Sequence, residues 1–277
     1  MRWTPGGRSG NLEDRRGSGG LGRGLGIGGT VVVLALSLIT GRNLFSDLGV
    51  EPGITSAGAA LSPEDSAREE KQVQFVSFVL DDAQATWSEL LSNGGEQYRP
   101  AKLVLFRNST QSGCGPAQSA MGPFYCPLDE KVYIDLGFYD ELTKRFGAAG
   151  DFAQAYVLAH EIGHHVQRVA GTDSRARQAQ QSNPGEANQI SVRVELQADC
   201  YAGVWASSTQ KRDLLEAGDV EEAMGAASAV GDDRILAQSG RRVNVDAFTH
   251  GSAAQRAEWF KRGFDSGNPQ SCNTFGG

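Results

Sequence analysis

His160, Glu161 and His164 carry the strongest chemical signal in the chain, as His-Glu-x-x-His within Ala159-His160-Glu161-Ile162-Gly163-His164-His165. On a helix, residues four apart share a face, one turn above the other. Two imidazoles so placed can bind one metal ion, and zinc suits nitrogen ligands. Glu161, rotated about 100° around the helix from His160, stays close enough to act on a water at that metal. The chain has only 4 His, and three of them fall at 160, 164 and 165, which argues against a helix with two unremarkable histidines. Gathering two His and a Glu on a largely apolar segment also requires something to satisfy the buried polar groups. The pattern predicts one zinc ion per chain. His165 lies off the ligand face, and it is expected either to pack or to support the ligands from behind.

Catalytic zinc normally has three protein ligands and a water. The extended pattern HExxHxxGxxH would put the third ligand on the same segment, but Gln167 and Ala170 occupy the positions concerned. The other common solution is a Glu from a later helix. Glu195, in Glu195-Leu196-Gln197-Ala198-Asp199-Cys200, is the best candidate: 195 − 164 = 31 residues leave room for a loop and an antiparallel return. Asp199 is one turn further on the same face, where it can accept the free N–H of a ligand imidazole and fix its tautomer. Glu186 is the weaker ligand candidate because it sits in a Pro/Gly loop. Glu161 is then the general base that takes a proton from the attacking water and passes it to the leaving nitrogen of an amide. The oxyanion formed needs a further donor. His250, in Phe248-Thr249-His250-Gly251, is the first choice, with Tyr133 and Tyr201 behind it.

The elements that must position these residues can be read from periodicity and caps. The metal helix is expected from 151 to about 170, with Asp151 capping it and Gln154 completing the box. A long helix from about 187 to 209 carries Glu195 and Asp199. A core helix opens at Ser62-Pro63-Glu64-Asp65 and runs to about 92. Strands are expected at 102–106 and 131–135, and a short helix at 138–146. Asp219 and Ser252 each open a capping box for a further helix, and residues 171–186 are polar, with Asn183-Pro184-Gly185 as a break. Cys114 and Cys126 bracket a Gly/Pro/Ser loop that a local disulfide would pin. The fold class is α+β, predominantly helical with a small β-sheet, in one domain spanning 62–277. The order strand, helix, metal helix recurs in zinc peptidases, where an edge strand near the metal can pair with an extended substrate.

The first sixty residues differ from the rest. Residues 1–23, with five Arg among Gly, Ser and Asn, read as a disordered cytoplasmic tail. Residues 24–41 are 18 residues without a charge, enough for one transmembrane anchor. The upstream arginines place the N-terminus in the cytoplasm and the domain outside, as a single-pass protein of the cell membrane. A cleaved signal peptide is the competing reading, but the nearest small-residue triplet, Ala57-Gly58-Ala59, is far downstream. Residues 42–61 are a linker. A net charge of −7 argues against a nucleic-acid partner.

The chain resembles the bacterial putative neutral zinc metallopeptidase family. The resemblance is carried by Tyr125-Cys126-Pro127, Val132-Tyr133-Ile134-Asp135, the His160–Gln167 segment, the Glu195–Gly203 segment, Gly231-Asp232-Asp233, Phe248-Thr249-His250-Gly251-Ser252 and Trp259-Phe260. It implies a zincin-like domain of the gluzincin type acting on protein or peptide substrates. The family pattern also places cysteines near 126, 200 and 272. With an extracytoplasmic domain, Cys114–Cys126 and Cys200–Cys272 are the preferred pairs among three connectivities. Two other readings compete with a membrane-anchored zinc endopeptidase. One is a non-catalytic zinc-binding scaffold of the envelope, which would have no need of Glu161. The other is a hydrolase of non-peptide amides using the same site.

Overall fold

The structure, a computed structural model, describes residues 1–17, 63–144, 147–240 and 242–276. The expected anchor at 24–41, the linker at 42–61 and the capping Ser62 lie outside them. Among the described residues no helix is long and apolar enough to cross a membrane.

A four-stranded sheet has the order β1 (Leu12–Asp14), β2 (Lys102–Phe106), β6 (Lys131–Asp135), β5 (Phe124–Cys126). The first three strands are parallel, and β5 runs antiparallel to β6 with Tyr125 opposite Val132. β3 (Ser109–Ser112) and β4 (Gly115–Gln118) form a separate hairpin. Alternation in β2 and β6 divides the sheet's two faces. Leu103, Leu105, Val132 and Ile134 face the helical core, while Val104, Phe106 and Tyr133 join Cys126 in a small second cluster. The Cys114–Cys126 disulfide closes that second face, as the resemblance implied.

Helix α1 (Pro63–Asn93) lays Val73, Val76, Leu80, Ala83 and Trp87 into the core. The short α2 (Gly137–Lys144) leads to α3 (Asp151–Val169), the metal helix. The polar stretch ahead of the Asn183-Pro184-Gly185 break holds α4 (Thr172–Ser182), whose polar composition hid its helicity. α5 (Ala187–Lys211) returns antiparallel to α3, and α6 (Asp219–Ala229), α7 (Asp232–Gln238) and α8 (Ala253–Ser266) complete the bundle. A Cβ at Gly203 would sit 2.0 Å from the Phe260 carbonyl oxygen, and one at Gly263 1.9 Å from that of Cys200. These two glycines let α5 and α8 approach backbone to backbone. The Cys200–Cys272 disulfide then ties the C-terminal turn to α5.

Two caps differ from expectation. Gly150 and Gly218 precede α3 and α6, and neither Asp151 nor Asp219 caps its own helix. Instead Glu222 of α6 accepts the Phe152 N–H at the start of α3, and Asp151 accepts the Met1 ammonium at 2.6 Å. The box at Ser252 with Gln255 is present.

Residues 1–17, expected to be a disordered tail, are packed on the domain. β1 pairs with β2, Trp3 lies against Phe75 with ring centroids 5.3 Å apart, and Ser9 bonds Asp81. The arginines that suggested disorder are matched by acids of α1 and β1: Arg8 by Glu70 and Asp14, Arg16 by Glu69 and Asp14.

Candidate metal centre

α3 presents His160 and His164 one turn apart, and α5 crosses it closely enough to bring Glu195 between them. The close approach depends on Gly163, where a Cβ would meet the Ala198 carbonyl oxygen at 3.0 Å. Nε2 of His160 lies 3.2 Å from Glu195 Oε2, and Nε2 of His164 lies 3.5 Å from Glu195 Oε1. Ligand bonds of 2.0–2.2 Å in a tetrahedral set put donor atoms about 3.3–3.6 Å apart. Each imidazole thus stands from Glu195 at about the separation of two ligands on one zinc ion, and ligand atoms of the three residues all lie within 4.8 Å of one another.

Both ring Nδ1 atoms are engaged, which leaves both Nε2 atoms for the metal. His160 Nδ1 bonds Asp199 Oδ1 at 2.8 Å, and His164 Nδ1 bonds Gln167 Oε1 at 2.9 Å. Gln167 is in turn held by its NH2, which donates to the Val194 carbonyl and to Gln197 Oε1. Asp199, fully buried, also accepts from Tyr156 Oη at 2.5 Å and from Arg256 through Nε at 2.8 Å and Nη2 at 3.0 Å. Burial alone would raise the Asp199 carboxyl, but Arg256 and His160 outweigh it and hold it below the usual carboxylate range. Burial likewise opposes charge on His160, yet Asp199 and Glu195 lift it to about 10 without a metal.

Glu161 is 7% exposed and lines the same cleft, and burial raises its carboxyl above the ordinary value. The cleft has a volume of about 630 Å³, and its walls include the edge strand β5, Phe138, Arg256 and His250. His250 is placed by Asp232, whose Oδ2 accepts the N–H groups of Thr249, His250 and Gly251 at 2.7, 2.7 and 3.0 Å. Asp232 Oδ1 also meets His250 Nδ1 at 3.2 Å and is the main cause of that ring's raised pKa.

The other expected donors are elsewhere. Tyr133 bonds Asp129 on the second face of the sheet. Tyr201 packs edge-on to Trp87 and lines a different cleft. Glu186 sits in the turn before α5, outside the donor cluster. His165 is buried between the Tyr125 hydroxyl, 3.0 Å from Nδ1, and the Arg99 carbonyl, 2.6 Å from Nε2. Donation to that carbonyl puts its proton on Nε2, and burial lowers its pKa, so it is a neutral packing residue.

Sequence reasoning missed Arg256, Tyr156, Gln167 and Asp232. For Arg256 a signal existed: it lies on the buried stripe of α8 with Ala253, Phe260 and Gly263, where a charge demands a buried partner.

Comparison with known proteins agrees with this chemistry. The chain is 48% identical over 289 aligned positions to the uncharacterized protein YpfJ of Escherichia coli strain K12, covering 100% of this chain and 99% of that one. It is 46% identical over 202 positions to the uncharacterized protein Mb2605 of Mycobacterium bovis, covering 69% of this chain and 66% of that one. No solved structure matches. The family model described as putative neutral zinc metallopeptidase matches residues 1–275, and the chain belongs to that family.

Proposed function

We propose that the protein is a zinc-dependent endopeptidase, with His160, His164 and Glu195 holding one zinc ion. The observation that carries this reading is the pair of imidazoles that turn Nε2 toward one carboxylate while Nδ1 is fixed by Asp199 and Gln167. Three protein donors in an open cleft leave a position for water or substrate, which a closed structural site would not. Bound there, zinc supplies a Lewis acid that polarises a carbonyl and acidifies water.

The chain's own groups do the rest. Glu161, with its carboxyl raised by burial, takes a proton from the attacking water and hands it to the leaving nitrogen. His250, steadied by Asp232, donates to the developing oxyanion from the cleft wall. The outer edge of β5 offers backbone groups to an extended peptide, fixing it alongside Glu161.

The test compares the full wild-type chain with Glu161→Gln on an unstructured protein at neutral pH, both loaded with zinc. Cleavage should fall by about 10²–10⁴-fold in the variant, the usual contribution of a general base, with zinc still bound at one per chain. Zinc in both chains and cleavage by neither moves the assignment to the non-catalytic zinc module. Wild type that binds no zinc sinks the ligand set.

A further inference from the structure

We propose that the C-terminal turn, Pro269–Cys272, is a working part of the metal centre. Its Cys272 carbonyl, anchored by the Cys200–Cys272 disulfide, sets through Gln197 and Gln167 the tautomer in which His164 can bind a metal. The inference rests on the zinc ligand set proposed above, and not on the reaction catalysed there.

A series of hydrogen bonds carries it. The Gln197 NH2 donates to the Cys272 carbonyl at 3.0 Å. The Gln167 NH2 donates to Gln197 Oε1 at 3.0 Å and to the Val194 carbonyl at 2.7 Å. Gln167 Oε1 then faces His164 Nδ1 at 2.9 Å. Both glutamines are buried, so each amide depends on these partners.

The direction of these bonds matters more than their number. An amide side chain can face either way, but a backbone carbonyl only accepts. Cys272 therefore draws the Gln197 NH2 toward itself and leaves Oε1 for Gln167. Val194 makes the same demand on Gln167. With both amides so turned, the group left for His164 is an oxygen. That requires the ring proton on Nδ1 and frees the Nε2 lone pair for a metal. Reversing the two amides together would keep the bond between them. It would also set Gln197 Oε1 against the Cys272 carbonyl and Gln167 Oε1 against the Val194 carbonyl. An NH2 would then face His164 Nδ1, and the ring proton would move to Nε2, the atom the metal needs.

The two carbonyls that exclude this reversal have different origins. Val194 precedes Glu195 on α5, so its carbonyl comes with the donor set. Cys272 is 75 residues from Gln197 and reaches it only because the chain end is fastened to α5. The disulfide fastens it at Cys200, and the Thr274 hydroxyl adds a tether to the Arg193 carbonyl at 2.7 Å. Gln197 and Cys272 are thus positioning residues, acting on the metal through His164.

The test uses the full chain, with zinc affinity read by competition with a chromogenic chelator. Three variants are compared with wild type: Cys200→Ala with Cys272→Ala, Gln197→Leu, and all three changes together. Urea unfolding in chelator establishes that each is folded under the assay conditions. The cysteine pair and Gln197→Leu should each weaken zinc binding about 3–10-fold, the share of one buried hydrogen bond. The losses should not add: once Gln197→Leu is in place, removing the cysteines should change affinity by less than about twofold. Thr274→Val loosens the tail without touching either amide and should stay within about twofold of wild type. In the zinc-loaded chain the His164 Nδ1 proton should exchange slowly with water, and faster in Gln197→Leu. Wild-type affinity in Gln197→Leu or in the cysteine variant, additive losses, or an equal loss in Thr274→Val would overturn the proposal. Wild type that binds no zinc would overturn it differently, by sinking the ligand set on which it rests.

Discussion

Replacing Arg256 by methionine keeps the length of the side chain and removes the guanidinium that neutralises Asp199. The guanidinium makes two bonds to the carboxylate, one to Tyr156 Oη at 3.2 Å and one to the Val230 carbonyl at 3.3 Å. Asp199 would be left fully buried with only the Tyr156 hydroxyl and the His160 ring as partners. Breaking a buried pair by removing one partner costs about 3–5 kcal/mol, because the remaining charge is uncompensated. Total domain stability is about 5–15 kcal/mol, so the variant should fold but with a much reduced margin. The expected fall in Tm is roughly 6–20 °C for a domain of this size. Because the same carboxylate steadies His160, zinc affinity should drop by about 10–100-fold. The assay is urea unfolding in chelator, which separates the pair's contribution from metal linkage. It should be run on wild type, Arg256→Met, Asp199→Leu and the double variant. The double variant should lie closer to wild type than the sum of the singles, since it removes both charges together. A loss under about 0.5 kcal/mol for Arg256→Met, typical of a surface change, would refute the reasoning. Strict additivity in the double variant would refute it equally.

Three further outcomes follow from particular contacts. Gln167→Ala should weaken zinc binding about 10-fold by freeing His164 Nδ1, and Gln167→Glu should restore it, as competition with a chromogenic chelator would read. Gly203→Ala gains about 1 kcal/mol of helix propensity, but its Cβ would fall 2.0 Å from the Phe260 carbonyl oxygen. The clash should win by about 3 kcal/mol or more, and an unfolding midpoint at or above wild type would contradict the α5–α8 contact. Glu13 and Asp14 are each held at about 2: ion pairs with Lys131 and Arg15 overcome burial for Glu13, and the bond from Arg16 leads for Asp14. Folded values below the unfolded ones of about 4.3 and 3.9 mean that their contribution is full above those values. It is lost as pH falls toward about 2, so pepsin should spare residues 1–17 at pH 5 and cut them between about pH 4 and 2.

What could be read in advance divides along the range of the interactions. The cluster of His160, His164 and Glu195 was legible because two of its members are one helical turn apart, and the third lies on a helix whose own period pairs it with Asp199. Local spacing therefore encoded most of the centre. Strands β2 and β6 were legible for the same reason, through runs of Val, Leu, Ile and Phe. Arg256 was legible only as a charge on the buried stripe of α8; its pairing with Asp199 was not, because that pairing depends on α8 crossing α5 at the glycines 203 and 263. The N-terminal segment is the extreme case. Arg8 finds Glu70, and Arg16 finds Glu69, 62 and 53 residues away, so a composition that reads as solvated and disordered is in place only because of distant acids. β1 has three residues, too few to show a period.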